Sequence, residues 1–218
     1  MLSFTEENYL KALLLLTLEV QHKNEAGTNQ LAQYLGVKPA TATDMLRKLK
    51  EKKLISYEKY GKISLSDEGR RKAVEVLRKH RLWETFLYEK LDFTWDEVHE
   101  VAEQLEHIQS AKLVDKLDKF LGFPEYDPHG DAIPDAQGNL KPSYKKTLSE
   151  VQEGTQCRMV AVKDNSAAFL QYVSQLHLGI DSEIKVLGRQ AYDGSMEIVI
   201  NDTRTTVSQK FAENIFIV

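Results

Sequence analysis

The sequence has a single cysteine, Cys157, in 218 residues, which excludes a disulfide framework and any zinc site built on thiolates alone. Long apolar runs are missing too. The longest, Ala12–Leu18, contains Thr17 and falls well short of the roughly 18 residues a membrane helix needs. The first residues carry Glu6 and Glu7 where a secretory leader would be basic, so a cytoplasmic protein with no membrane partner is expected. There is no nucleophile elbow, no glycine-rich phosphate loop and no Ser/His/Asp order on which to build a hydrolase. Prolines number only five, and four of them (Pro124, Pro128, Pro134, Pro142) fall between Phe123 and Ser143, which marks that stretch as a linker or irregular crossing segment. What remains is 42% apolar and 28% charged, the balance of a folded chain of one or two domains.

The net charge of −4 conceals an asymmetry. Residues 1–79 hold 15 Lys/Arg against 10 Asp/Glu, whereas residues 80–218 hold 14 against 23. A basic front suits contact with phosphates, and an acidic rear suits cations or protein.

Periodicity predicts the elements. A Ser3-x-x-Glu6 capping box opens a helix over Thr5–Gln21, with Leu10, Leu13, Leu14 and Leu18 at helical spacing. Thr28–Leu35 is a short helix closed by Gly36, and Pro39 opens a third over Pro39–Lys52. Ile55–Tyr57 and Lys62–Leu65 flank a Gly-containing turn at Glu58–Gly61, a hairpin. Helices follow over Glu68–Leu91, from a Thr94-x-x-Glu97 box to Ile108, and from Ser110 to Gly122. After the proline-rich stretch come β-patterned runs at Gln156–Val162, Glu183–Leu187, Met196–Ile200, Thr203–Val207 and Ile215–Val218, with one helix, Ala167–Gln175. The tail is expected to form a small β-barrel.

A short helix, a tight turn and a second helix, followed by a hairpin, is the pattern of a winged helix-turn-helix. The second helix starts with small residues, Pro39, Ala40, Thr41, Ala42 and Thr43, which let its N-terminus press into a major groove. Lys38, Arg47, Lys48, Lys59 and Lys62 surround it and suit phosphate contacts. The competing view is a plain helical hairpin with a solvated basic face.

Between Asp92 and Ala111 there are six acids and no Lys or Arg. On a continuous helix His99, Glu103, Glu106 and His107 share an arc about 100° wide. His80 and Glu84, four apart, add a second pair. Carboxylates beside imidazoles suit a divalent metal, and an exposed acidic face is the alternative. A third reading is catalytic: a metal-dependent hydrolase or di-iron helical enzyme whose basic front is incidental.

Taken together, Arg78-Lys79-His80-Arg81-Leu82 with Glu84, Glu97-Val98-His99-Glu100 and Glu103-x-x-Glu106-His107 resemble the metal-binding core of the DtxR/MntR family of metal-dependent transcriptional repressors. Thr5-Glu6-Glu7-Asn8-Tyr9-Leu10 is similar to the family's first-helix motif. Leu121-Gly122-Phe123-Pro124 with Asp127-Pro128-His129-Gly130 is similar to the segment after its dimerisation helices. The tail resembles the SH3-like (FeoA-like) domain of its longer members. The resemblance implies a mainly α chain with a small β part: a winged helix-turn-helix over 1–67, a helical metal-binding and dimerisation domain over 68–140, and an SH3-like β-barrel over 141–218. It implies a homodimer that takes Mn(II), or alternatively Fe(II), binds operator DNA and represses metal-uptake genes, and it implies no enzyme.

By position, one metal site would use Glu103, Glu106 and His107 with His80 and Asn8. A second would use Glu84 and His99, with Asp127, His129 and Asp164 as further ligands in the tail-bearing members. Asn8 stands where manganese members have Asp and iron members Met, Lys11 where short members have a carboxylate, and Asp127 where close relatives have Cys. Glu7 is a substitute for Asn8, though about 100° away around the helix. The donor set is rich in oxygen and free of sulfur, which suits Mn(II).

Overall fold

The computed structural model describes residues 2–19, 26–57, 62–141 and 146–218. The chain divides into two compact units. One holds residues 1–80, 105–112 and 134–139; the other holds 81–104, 113–133 and 140–218.

In the first unit, helix α1 (Phe4–Glu19) starts at a working capping box. The Ser3 N–H donates to Glu6 Oε2 at 2.9 Å, and the Glu6 N–H donates to Ser3 Oγ at 3.3 Å. Tyr9, Leu10, Leu13 and Leu14 are buried, but so are Glu6, Glu7 and Lys11, so α1 carries charge into the interior. Helix α2 (Thr28–Tyr34) ends in a turn where Gly36 has φ 64°, a conformation that a side chain disfavours. Helix α3 (Pro39–Glu51) has proline at its first position, where the missing N–H costs nothing, and buries Ala42, Leu46 and Leu49. Strands β1 (Ile55–Tyr57) and β2 (Ile63–Leu65) pair antiparallel with Ile55 opposite Leu65, and Ala26 bridges Ile63 at the strand edge. This is the expected winged helix. The predicted hairpin turn at residues 58–61 and the predicted end of the first helix at Gln21 lie outside the described residues.

Helix α4 (Asp67–Leu91) follows the wing directly. Its first turn lies hard against the preceding chain: a Cβ on Gly69 would sit 1.9 Å from the Leu54 carbonyl oxygen. Lys52 ties α3 back to α1, its Nζ 2.6 Å from Glu6 Oε1. Burial opposes the Glu6 charge, but Lys52 and the capping bonds outweigh it and hold that carboxyl below its ordinary pKa.

The second unit begins at Arg81 on α4. Helices α5 (Val98–Leu105) and α6 (Ala111–Phe120) follow in the chain. The helix predicted over Thr94–Ile108 is shorter at both ends. The Thr94 N–H donates to Glu97 Oε2 at 2.8 Å, which folds a turn before the helix proper. At the far end Ile108 N–H reaches back only three residues, to Leu105 at 3.2 Å, so Glu106 and His107 lie in a turn beyond α5. The predicted arc of four ligating residues on one helix is therefore broken into two pairs.

The tail forms one antiparallel sheet from β3 (Lys146–Thr147), β4 (Gln156–Val162), β5 (Glu183–Arg189), β6 (Met196–Ile200), β7 (Thr203–Val207) and β8 (Ile215–Ile217), in the order β3-β8-β4-β5-β6-β7. Helix α7 (Ala167–Gln175) and the short α8 (Gln209–Ala212) pack on it. Met159, Leu170, Ile184, Val186, Ile198 and Phe211 make its core, and Trp95 joins them. Strand β3, α8 and the 3₁₀ turn Leu148–Glu150 were not predicted, being too short to show a period. No described helix is long and apolar enough to cross a membrane.

The close approach at Gly69 gives a direct test. Gly69→Ala must push α4 away from Leu54, and urea denaturation should show a loss of about 2 kcal/mol or more. An unchanged midpoint would mean that this contact does not fix the start of α4.

Candidate metal centre

Among the described residues, buried acids and imidazoles gather in each of the two units. In the first unit, α1 presents Glu7 and Lys11, and the segment after α5 presents Glu106 and His107. Lys11 Nζ lies 2.6 Å from Glu106 Oε2, and His80 Nδ1 lies 2.6 Å from the same oxygen. Glu7 Oε2 lies 2.6 Å from His107 Nδ1, and Gln109 Nε2 donates to Glu7 Oε1 at 2.7 Å. Phe4 stacks on the His107 ring at 4.4 Å. Glu106 is fully buried. Burial opposes its charge, but His80 and Lys11 outweigh that and keep its pKa below the usual carboxylate range. Asn8 Oδ1 and Glu106 Oε1 are buried without a hydrogen-bond partner. The first-helix acid that meets this segment is thus Glu7, on His107, while Lys11 meets Glu106.

A divalent ion fits this group poorly. An ion on Glu106 would face the Lys11 ammonium, and a dication about 4 Å from an ammonium is repelled by roughly 8 kcal/mol at an effective dielectric of about 20. The sequence marks Lys11 only as a departure from the carboxylate of short members; its partner, Glu106, is 95 residues away.

The second group lies wholly in the other unit. Glu84 on α4 and Asp127 and His129 in the loop after α6 offer ligand atoms that all lie within 4.8 Å of one another, and all three residues are buried. Asp127 Oδ1 accepts the N–H groups of His129 at 2.9 Å and Asp131 at 3.0 Å, which folds the loop. Its Oδ2 lies 3.5 Å from Arg81 Nε. His129 Nε2 lies 3.0 Å from the Trp95 carbonyl oxygen, which can only accept, so Nε2 carries a proton and Nδ1 is the nitrogen open to a ligand. Nδ1 is buried with no hydrogen-bond partner, 3.8 Å from Glu84 Oε2. The Trp95 and His129 rings stack at 5.8 Å. Gly130 is the one residue that fits the loop's approach to β4, since a Cβ there would lie 2.0 Å from the Val160 carbonyl oxygen.

Burial pushes the Asp127 carboxyl up to about 7, helped by Asp131 and Glu84 and opposed by Arg81. Burial opposes charge on His129, but Glu84, Asp127 and the Trp95 carbonyl outweigh it and raise its pKa to about 9. Without an ion, a proton on His129 answers the acids. Two carboxylates and one imidazole, with an orphaned buried nitrogen between them, fit a hard or borderline divalent cation.

The other predicted ligands fall outside this triad. His99 Nδ1 lies 3.1 Å from Glu84 Oε1, which makes it a neighbour of the group, and its ring is half-exposed. Glu103 is exposed, 3.7 Å from His99 Nε2. Asp164 Oδ1 accepts the Ser166 N–H at 2.9 Å at the start of α7. Cys157 is buried in the sheet core with its thiol 3.5 Å from the Ile184 carbonyl oxygen. Arg81 and Asp131, which frame the triad, were not picked out from the sequence; the Arg81 side chain also donates to the Ala132 carbonyl.

Of the predicted DNA contacts, Lys38, Pro39, Ala40, Thr41, Arg47, Lys48 and Lys62 are exposed. The Thr43 hydroxyl donates to the Pro39 carbonyl of its own helix at 2.9 Å. Arg47 pairs with Asp44 at 3.3 Å on the surface. Lys59 lies outside the described residues.

The sign of the pH dependence follows from His129. Its folded pKa is raised above the ordinary value of about 6.5, so its contribution is complete below that pH and is lost as pH rises through about 9. The raised Asp127 pKa acts in the same direction at lower pH, up to about 7. The thermal midpoint of the metal-free protein should therefore fall between pH 6.5 and 9, and a flat profile would refute a protonated His129.

Three family models match the chain. The DNA-binding domain of iron dependent repressors matches residues 1–63, their metal binding and dimerisation domain matches 66–135, and the FeoA domain matches 146–218. A probable metal transport system membrane protein of Chlamydia trachomatis is 35% identical over 133 residues, 59% of this chain but only 29% of that protein. The chain thus spans under a third of that relative. An uncharacterized HTH-type transcriptional regulator of Methanocaldococcus jannaschii is 32% identical over 115 residues, 53% of this chain and 90% of that one. A solved manganese-dependent transcriptional repressor in complex with manganese superposes with a TM-score of 0.87 at 34% identity, covering 98% of this chain and 99% of that one.

Proposed function

Since the chain belongs to the iron-dependent repressor family of metal-dependent transcriptional regulators, we propose that it is a cytoplasmic, Mn(II)-activated repressor that binds operator DNA as a homodimer and controls metal-uptake genes. Fe(II) is the alternative activator. The reading as a hydrolase or di-iron enzyme is set aside, because the matched domains are those of transcriptional repressors. In this proposal residues 1–67 read DNA, 68–140 dimerise and hold metal, and 141–218 support the metal site.

The observation that carries the proposal is the buried triad of Glu84, Asp127 and His129 with its orphaned Nδ1. These three residues would hold the ion, which supplies the positive charge that two buried carboxylates require. Trp95 holds the imidazole with Nδ1 presented, and Asp127 keeps one oxygen for its loop. Glu84 lies on α4, the helix that begins two residues after the wing strand in the chain. The absence of sulfur from the triad favours Mn(II) and Fe(II) over softer metals.

The exposed N-terminal turn of α3 is the base-reading end. Thr41, whose side chain is exposed, is better placed for it than Thr43, whose hydroxyl proton is already given to Pro39. Lys38 and Lys48 lie where phosphates would be met.

Fluorescence anisotropy with operator DNA tests this. Mn(II) should raise affinity at least tenfold, anaerobic Fe(II) nearly as much, and Zn(II) less. Glu84→Gln and His129→Ala should each remove the metal effect while leaving weak, salt-sensitive binding to random DNA. Operator binding that ignores Mn(II), or that keeps its full Mn(II) response in both variants, would sink the proposal. Lys48→Ala should weaken operator and random DNA alike and lower the salt slope by about one. If the slope is unchanged, α3 does not carry that phosphate contact.

A further inference from the structure

We propose that the Lys11 ammonium is a built-in cation that closes the first-helix cluster to divalent metal, so that α1 docks on the 105–112 segment without an ion. Metal response is then left to Glu84, Asp127 and His129. The second half of this inference rests on the reading in the preceding section; the first half stands on the geometry alone.

Lys11 and Glu106 are both buried, and one oxygen of Glu106 is engaged by Lys11 and His80 at 2.6 Å each. One turn earlier on the same face of α1, Glu7 is committed through both oxygens, to His107 and to Gln109. The two contacts have opposite polarity. Helix α1 gives a carboxylate to the His107 ring and an ammonium to Glu106, so the buried Glu106 charge is answered within the chain. The ammonium is tethered to α1, so unlike a metal ion its presence does not depend on the supply in solution.

The unspent atoms show what the ammonium prevents. Asn8 Oδ1 and Glu106 Oε1 are buried without partners, and His107 Nε2 lies 3.8 Å from that Oε1. Glu106 Oε1 and His107 Nε2 are an oxygen and a nitrogen of the kind a divalent ion takes. What the group lacks is surplus negative charge, because Lys11 cancels Glu106 and buried Lys79 lies in the field of both Glu7 and Glu106. Removing the Lys11 charge should open the set.

The test counts Mn(II) bound per full-length chain by equilibrium dialysis, with free Mn(II) read by electron paramagnetic resonance, alongside urea denaturation of the metal-free protein. Lys11→Gln should bind one more Mn(II) per chain than the wild type. It should unfold at lower urea without metal and recover when Mn(II) is added. The gain should persist in Lys11→Gln/Glu84→Gln, which lacks the other site. Glu106→Gln in the wild-type background should leave the Mn(II) count unchanged. No extra Mn(II) in Lys11→Gln, or a lost Mn(II) in Glu106→Gln, overturns the inference. If Lys11→Gln does not fold, the Glu106→Gln count decides alone. A wild type that binds no Mn(II) would defeat the function proposed above, yet a gain in Lys11→Gln would still uphold the role of Lys11.

Discussion

A carboxylate taken wholly out of water has to be answered by opposite charge or by protons, and much of this chain is arranged around that requirement. Glu106 is the clearest case. It lies in a turn that leaves α5 early, so that its side chain can meet Lys11 and His80. The buried, charged face of α1 follows from the same need. A helix that buries Tyr9, Ala12 and several leucines also carries Glu7 and Lys11 inward, and each finds its complement on the 105–112 segment.

The second buried acid group meets the requirement in another way. Asp127 spends one oxygen on backbone N–H groups, so the loop folds around the acid. The rest of the charge is balanced by Arg81 nearby and by the proton on His129. A lysine on a helix is a fixed counter-charge, whereas a proton on an imidazole can be exchanged for something else. The two groups have similar donors and differ in the kind of counter-charge, a tethered ammonium in one and a proton on an imidazole in the other.

Much of the fold can be read locally. The Ser3/Glu6 box, the Gly36 turn, Pro39 and the alternation of β4 and β6 all act within a few residues, and each element appears where its signal stands. The winged helix and the tail sheet were therefore legible, and the family resemblance singled out Glu84, Asp127 and His129, which the fold brings together. What escaped was tertiary. The helical arc of His99, Glu103, Glu106 and His107 presumed that the helix continues past Leu105, and a three-residue backbone bond ends it. The inward role of Lys11 depends on a residue 95 positions away, and no spacing rule reaches that far. Asp164 is placed by a local contact, its Oδ1 accepting the Ser166 N–H at the start of α7.

Trp95 is shared between two kinds of structure. Its indole belongs to the apolar core of the tail sheet, and its carbonyl oxygen takes the Nε2 proton of His129. The His129 carbonyl in turn accepts the N–H of Val162, at the end of β4. The nitrogen that keeps its proton when the other gives one up is thus fixed by a carbonyl whose residue is anchored in the sheet core. In the chain His129 precedes every strand from β4 onward, so the setting of this imidazole is completed by residues that follow it.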